Sequence, residues 1–157
     1  MPDLRTLSTG TKILLGAGLL LFIDTFLAWQ EVSVEVSGVE IASASQNAWN
    51  GFWGVAMGLV LIALLVWVAL QIWNVELPNL NLPEKTVTAV LAGLVFVLAL
   101  LKNLIDDYSA WPSYVGIVLA AAVAVGGWMR LQEPETVAAP VDREPVSPPP
   151  PPTTEGS

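Results

Sequence analysis

Two ionisable side chains interrupt otherwise apolar stretches of this chain: Asp24, a short step before Trp29, and Lys102, just before Ile105. A charge held in hydrocarbon is expensive unless it pairs, meets water or snorkels to the headgroups. Each lies about one helical turn from the same end of its stretch, so the two are expected at similar depth. The spacing predicts an ion pair between Asp24 and Lys102, with Thr25 and Asn103 completing its hydrogen bonds. If the bridge forms, changing both residues should be milder than changing either one. The alternative use of the same pair is a proton or ion relay in a small transporter or channel subunit. A single pair is thin equipment for that task, because the middles of the second and fourth apolar stretches carry almost no polar groups.

Little other chemistry is on offer. The chain has no Cys and no His, which removes disulfides, thiolate nucleophiles, Cys/His metal sites and the usual neutral-pH acid–base group. There is no G-x-S-x-G, no phosphate-cradling glycine loop and no metal-ligand spacing. Asp106 and Asp107 are adjacent carboxylates, but successive residues point in different directions on a helix, so they read as a solvated helix end. The sequence therefore predicts no enzyme, no cofactor and no metal. Six Lys+Arg against fourteen Asp+Glu leave a formal charge of −8, which nucleic acid would repel.

The elements that must hold these residues follow from composition. Of 157 residues, 54% are hydrophobic and 13% charged, too few polar groups to clothe a soluble domain. The apolar residues concentrate in four stretches, 13–29, 48–73, 86–105 and 114–131. Each is close to the roughly 20 residues that a helix needs to cross a bilayer, and each is apolar on all sides. The predicted fold is an all-α membrane protein: a four-transmembrane-helix bundle over residues 1–131 with a small extracytoplasmic β-hairpin. A cleaved signal peptide competes for the first stretch. No small-x-small cleavage site follows it, and Asp24, Phe26, Leu27 and Trp29 are a poor processing context, so a retained helix is expected.

Arg5, Lys12, Lys85, Arg130 and Arg143 fall on one side of this layout and only Lys102 on the other. The positive-inside rule then places both termini in the cytoplasm and the 30–47 and 106–113 loops outside the plasma membrane. Trp29, Trp49, Trp53, Tyr108, Trp111 and Tyr114 are expected as anchors at the outer boundary, with Trp73 and Trp128 at the inner one.

In the outer loop Val32, Val34 and Val36 alternate with Ser33 and Glu35, Ser37-Gly38 can turn, and Val39-Glu40-Ile41 resumes the pattern. This period of two predicts a β-hairpin. A lone hairpin is marginal in water, so its valines are expected to rest on the helix ends. Glu31, Glu35 and Glu40 make its other side acidic, suited to a cap or to a docking surface for a partner or a cation.

Small residues recur at helical spacing: Gly54 and Gly58 in the second stretch, Gly116, Ala120 and Ala124 in the fourth. They predict close helix packing, within the bundle or in a homo-oligomer. Pro83 is expected to open the third helix, with Glu84 at its positive end. From 132 to 157 the composition turns to Pro, Glu, Ser and Thr. That composition predicts a disordered cytoplasmic tail able to present proline-rich sequence to partners.

The first stretch ends in Phe26-Leu27-Ala28-Trp29, and Asn47-Ala48-Trp49-Asn50-Gly51-Phe52-Trp53 opens the second. On these motifs, over roughly residues 10–131, the chain resembles small four-helix membrane proteins of actinobacteria. The resemblance implies that fold and no reaction. Gly51-Phe52-Trp53 is also similar to the Gly-Leu-Trp of claudins, whose paired cysteines and long outer loop are missing here. The function expected is a non-enzymatic accessory or scaffold component of the membrane, interacting through the 30–47 loop and the 132–157 tail.

Overall fold

The computed structural model describes residues 3, 5–76, 81–107 and 109–134. In chain order the elements are α1 (Thr9–Asp24), β1 (Ala28–Val36), β2 (Val39–Asn47), α2 (Gly51–Ile72), α3 (Glu84–Ile105) and α4 (Trp111–Gln132). Helices α2, α3 and α4 are long and apolar enough to cross a membrane. At 22 residues apiece they rise about 33 Å, one hydrocarbon thickness.

Helix α1 departs from the expected 13–29. It begins at Thr9 because Ser8 caps it, the serine hydroxyl accepting the Thr11 N–H at 3.2 Å. It ends at Asp24 because Thr25 is drawn elsewhere. The Thr25 hydroxyl donates back to the Phe22 carbonyl at 2.6 Å, and the Thr25 carbonyl accepts the Ala48 N–H at 3.0 Å. Its 16 residues reach only about 24 Å. Pro83, with φ −58° and ψ 135°, stands as the N-cap of α3 with Glu84 in the first turn, and Pro112 sits in the first turn of α4. Gln132, the first residue of the expected tail, belongs to α4. Pro78, Tyr108 and residues 135–157 lie outside the described residues.

Helix α1 packs on α4, α4 on α3 and α3 on α2, while α1 and α2 touch least. The α1–α4 backbones approach most closely at paired glycines: a Cβ on Gly126 would lie 2.8 Å from the Leu14 nitrogen and 3.0 Å from the Gly10 carbonyl. Leu14, Leu21, Met57, Leu64, Val95 and Val123 fill the core. Leu20, Ile23, Leu59, Val90 and Val118 point outward and are exposed, so the bundle is apolar outside as well as inside. Such a surface suits hydrocarbon, since proteins in water rarely expose a continuous apolar patch. Between α1 and α2 runs a wholly apolar groove of about 450 Å³ bordered by Leu15, Leu65 and Trp73.

Strands β1 and β2 pair as an antiparallel hairpin. Its turn uses Ser37 (φ 54°) and Gly38 (φ 80°), both left-handed, the primed geometry that matches strand twist. Two irregularities in the ladder decide where side chains go. The first, between Ala28 and Gln30, leaves Trp29 as an extra residue. The second, between Val34 and Glu35, leaves Ile41 extra on β2. A bulge of this kind re-aims the bulged side chain and shifts the alternation beyond it. The valines do not rest on the helix ends as expected: Val32, Val34 and Val36 are 38%, 49% and 54% exposed. The strands are nine residues long and held only at their root, which carries the rest clear of the bundle.

Candidate functional site

The polar chemistry of the described residues gathers where the hairpin leaves the helices. Bulged Trp29 turns inward and is 1% exposed. Its indole N–H donates to Asp24, reaching both the carboxylate Oδ2 and the main-chain carbonyl at 3.0 Å. Room for the ring exists only because residue 116 is glycine. A Cβ there would overlap the indole and lie 2.7 Å from Asp24 Oδ2. A second tryptophan repeats the device: Trp49 donates its indole N–H to the Thr25 hydroxyl at 3.0 Å, and its ring lies against Gly58, where a Cβ would come within 2.5 Å. Trp29 and Trp49, expected as boundary anchors, are thus plugs that lock the hairpin root. A buried indole needs an acceptor, and Asp24 and Thr25 supply one each. Trp73, Trp111 and Trp128 are exposed, as interfacial anchors would be.

Lys102 completes the root. Its ammonium is buried at 1% exposure and donates to the Asn50 carbonyl at 2.9 Å and to Asp106 Oδ2 at 2.5 Å. Its stem passes Gly54, where a Cβ would lie 3.1 Å from Lys102 Cε and overlap the Ala48 carbonyl. One residue thereby joins the C-terminus of α3 to the segment that opens α2.

The expected Asp24–Lys102 pair is replaced by these two separate attachments. The ion pair found among the described residues is Lys102 with Asp106. The reason is topological: α1 and α3 stand diagonally across the bundle and do not touch, so Asp24 faces α4 and Lys102 faces α2. Of the groups expected to complete the bridge, Thr25 serves Trp49, and Asn103 Oδ1 has no partner. The small residues also have a different use from the one their spacing suggested. Gly54 makes room for the Ala48 carbonyl and the Lys102 stem, Gly58 for Trp49 and Gly116 for Trp29. Ala120 is fully buried in the core and Ala124 half-buried. Between α1 and α4 the close backbone approach is at Gly10 and Gly126, which the small-residue spacing did not single out.

Two further main-chain links fasten the root. The Ala110 N–H donates to the Trp29 carbonyl at 2.7 Å, and Gln30 bridges to Ser109. Beside them opens a cleft of about 370 Å³ lined by Gln30, Val32, Gln46, Asp106 and Asp107. Among the described residues no three Asp, Glu, His or Cys side chains come together to hold a metal. At the opposite end of the bundle Trp67 Nε1, the Gln71 amide and Arg130 Nη1 are buried without partners; Trp67 and Gln71 each stand alone in an apolar stretch and carry no sequence signal. The bonds of Trp29, Trp49 and Lys102 each tie the hairpin root to the helices. The chain matches no protein-family model, no curated protein and no solved structure with which it was compared.

Proposed function

We propose that this chain is an integral protein of the plasma membrane that crosses the bilayer four times with both ends in the cytoplasm. It acts as a non-enzymatic accessory or scaffold component, presenting the hairpin outside and the 132–157 tail inside to protein partners. The observation that carries the reading is the contrast within residues 28–47: a root fastened by Trp29, Trp49 and Lys102 and strands whose residues from Glu31 onward are all exposed. A firmly seated, outward-standing element with no catalytic constellation at its base is built to be touched. The short α1 serves as the fourth span because Phe26 and Leu27 are exposed beyond its end, continuing its apolar surface past Asp24, whose carboxylate is turned into the bundle.

Reporters fused to the two ends and inserted at the 37–38 turn test the topology. Cytoplasmic signals from both ends and an outside signal from the turn are expected. Photo-activatable side chains at Val34 and in the 135–157 segment of the full chain then test the role in cells. Discrete adducts from at least one of the two sites are expected, and a chain that gives none from either is not a scaffold.

A further inference from the structure

We infer that the groove between α1 and α2 is a site for one anionic phospholipid, with an acyl chain lying in the groove and the phosphate meeting Lys12 and Arg5. This rests on the reading above that these helices cross the bilayer, and it names a lipid partner that the scaffold role leaves unassigned. The gap follows from the packing. Helices α1 and α2 are joined through the hairpin, yet they touch least of the helix pairs in contact. One contact is at Gly18, where a Cβ would lie 2.9 Å from Leu65 Cδ2. Beside it Leu15 and Leu19 form one wall of the groove, and Leu65, Ala69, Leu70 and Trp73 the other.

Hydrocarbon is what fits such a gap. Its surface is wholly apolar, so water finds no partner there, and an empty slot would forfeit contacts along both walls. Width selects among apolar occupants. From Leu65 to Trp73 the groove runs about 12 Å along α2, so its volume of about 450 Å³ corresponds to a channel about 6 Å across. A single acyl chain fits that width, whereas a helix of a second copy is about 10 Å across.

Charge at the mouth specifies the headgroup. Lys12 precedes Leu15 by one helical turn and Leu19 by two, so the three share a face of α1, with the lysine nearest the N-terminal end. Lys12 is exposed, and its ammonium donates to the Arg5 carbonyl at 3.3 Å, which brings a second cation to the same mouth. An ammonium has three donors, and this bond leaves donors over for a phosphate. Asp3 is the carboxylate beside them, its Oδ1 accepting the Arg5 main-chain N–H at 3.0 Å, and the two cations outnumber it. On the other wall α2 gives way to left-handed Asn74, and Glu76 belongs to the connection that leaves from there towards α3. Trp73, exposed at the end of the groove, stands where an indole meets the headgroup level. Basic groups at the cytoplasmic end of a cleft between membrane helices are the usual setting for an anionic lipid headgroup.

The full chain, reconstituted in vesicles of equal phosphatidylglycerol and phosphatidylcholine with the same acyl chains, is extracted in mild detergent and weighed by native mass spectrometry. One retained lipid per chain is expected, with phosphatidylglycerol favoured by about fivefold for a cation held at the headgroup level. Arg5→Gln with Lys12→Gln is expected to bring that preference close to even, and Lys12→Arg to keep it. Lys85→Gln removes a cation from the same end of the bundle but from α3, and is expected to leave the preference unchanged. Ala69→Phe fills the groove and is expected to lower the amount of lipid retained. Even retention of the two lipids by the unaltered chain overturns the inference. So does an equal fall in the Lys12 and Lys85 variants, which would mark a diffuse surface charge, or unchanged retention in Ala69→Phe. A dimer mass in place of the lipid adduct, abolished by Ala69→Phe, overturns it in favour of a second copy. The preference does not depend on which side of the membrane the termini face. Its absence from a chain whose end reporters are both cytoplasmic therefore removes this inference alone, and its presence in a chain with an outside N-terminus supports the site while removing the topology.

Discussion

The indole of Trp29 occupies the space where residue 116 would carry a side chain, and it donates its N–H to Asp24 Oδ2 at 3.0 Å. Strand β1, helix α1 and helix α4 thus meet at one point, which leaves no room for a side chain at position 116. Gly116→Ala is expected to lower stability in detergent by about 1–3 kcal/mol, the cost of overpacking a filled site. Gly16→Ala, where nothing lies within 4 Å, should be neutral or stabilising by up to about 1 kcal/mol. Thermal unfolding of the two variants side by side checks the contrast.

Trp29→Phe keeps most of the ring and removes the donor. The Asp24 carboxylate, 4% exposed, is then left without that partner, and a loss of about 1–3 kcal/mol is expected. Asp24→Asn retains an amide oxygen for the indole and should cost less. Denaturant titration in micelles ranks the two, and equal losses would show that the hydrogen bond contributes little.

Lys102 and Asp106 should behave as a coupled unit, and Lys102 and Asp24 as strangers. Asp106→Ala leaves the buried ammonium with the Asn50 carbonyl alone and is expected to cost about 1–3 kcal/mol. Adding Lys102→Met to Asp106→Ala should recover part of that loss. By contrast the effects of Lys102→Met and Asp24→Asn should add within about 0.5 kcal/mol, because the two residues share no partner. Coupling between Lys102 and Asp24 in a double-mutant cycle would restore the bridge that the sequence suggested.

Glu35 and Glu40 stand directly opposite each other, a like-charge pair that weakens the hairpin near its turn. Glu40→Lys is expected to slow amide exchange at Glu35, Val36 and Val39. The gain should shrink as salt is raised, since exposed charges are screened. Exchange rates that are unchanged in low salt would show that the two carboxylates do not oppose one another.

The apolar stretches, the hairpin and its Ser37-Gly38 turn were legible in the residues because each rests on a local rule: a run long enough to span hydrocarbon, an alternation of two, a pair of residues that accept left-handed backbone. Three helices carry that signal at full length. The partners of Asp24, Lys102 and Trp29 were not legible, because depth along a helix is local while neighbourhood in a bundle is not. Two charges at one level can bond only if their helices are adjacent, and here α1 and α3 are diagonal. Likewise Gly54, Gly58 and Gly116 advertised smallness without saying what would use the space. A ladder with an extra residue at Trp29 and another at Ile41 then turned one tryptophan inward and gathered the valines on a single face, since one residue of slip in a strand exchanges its two sides.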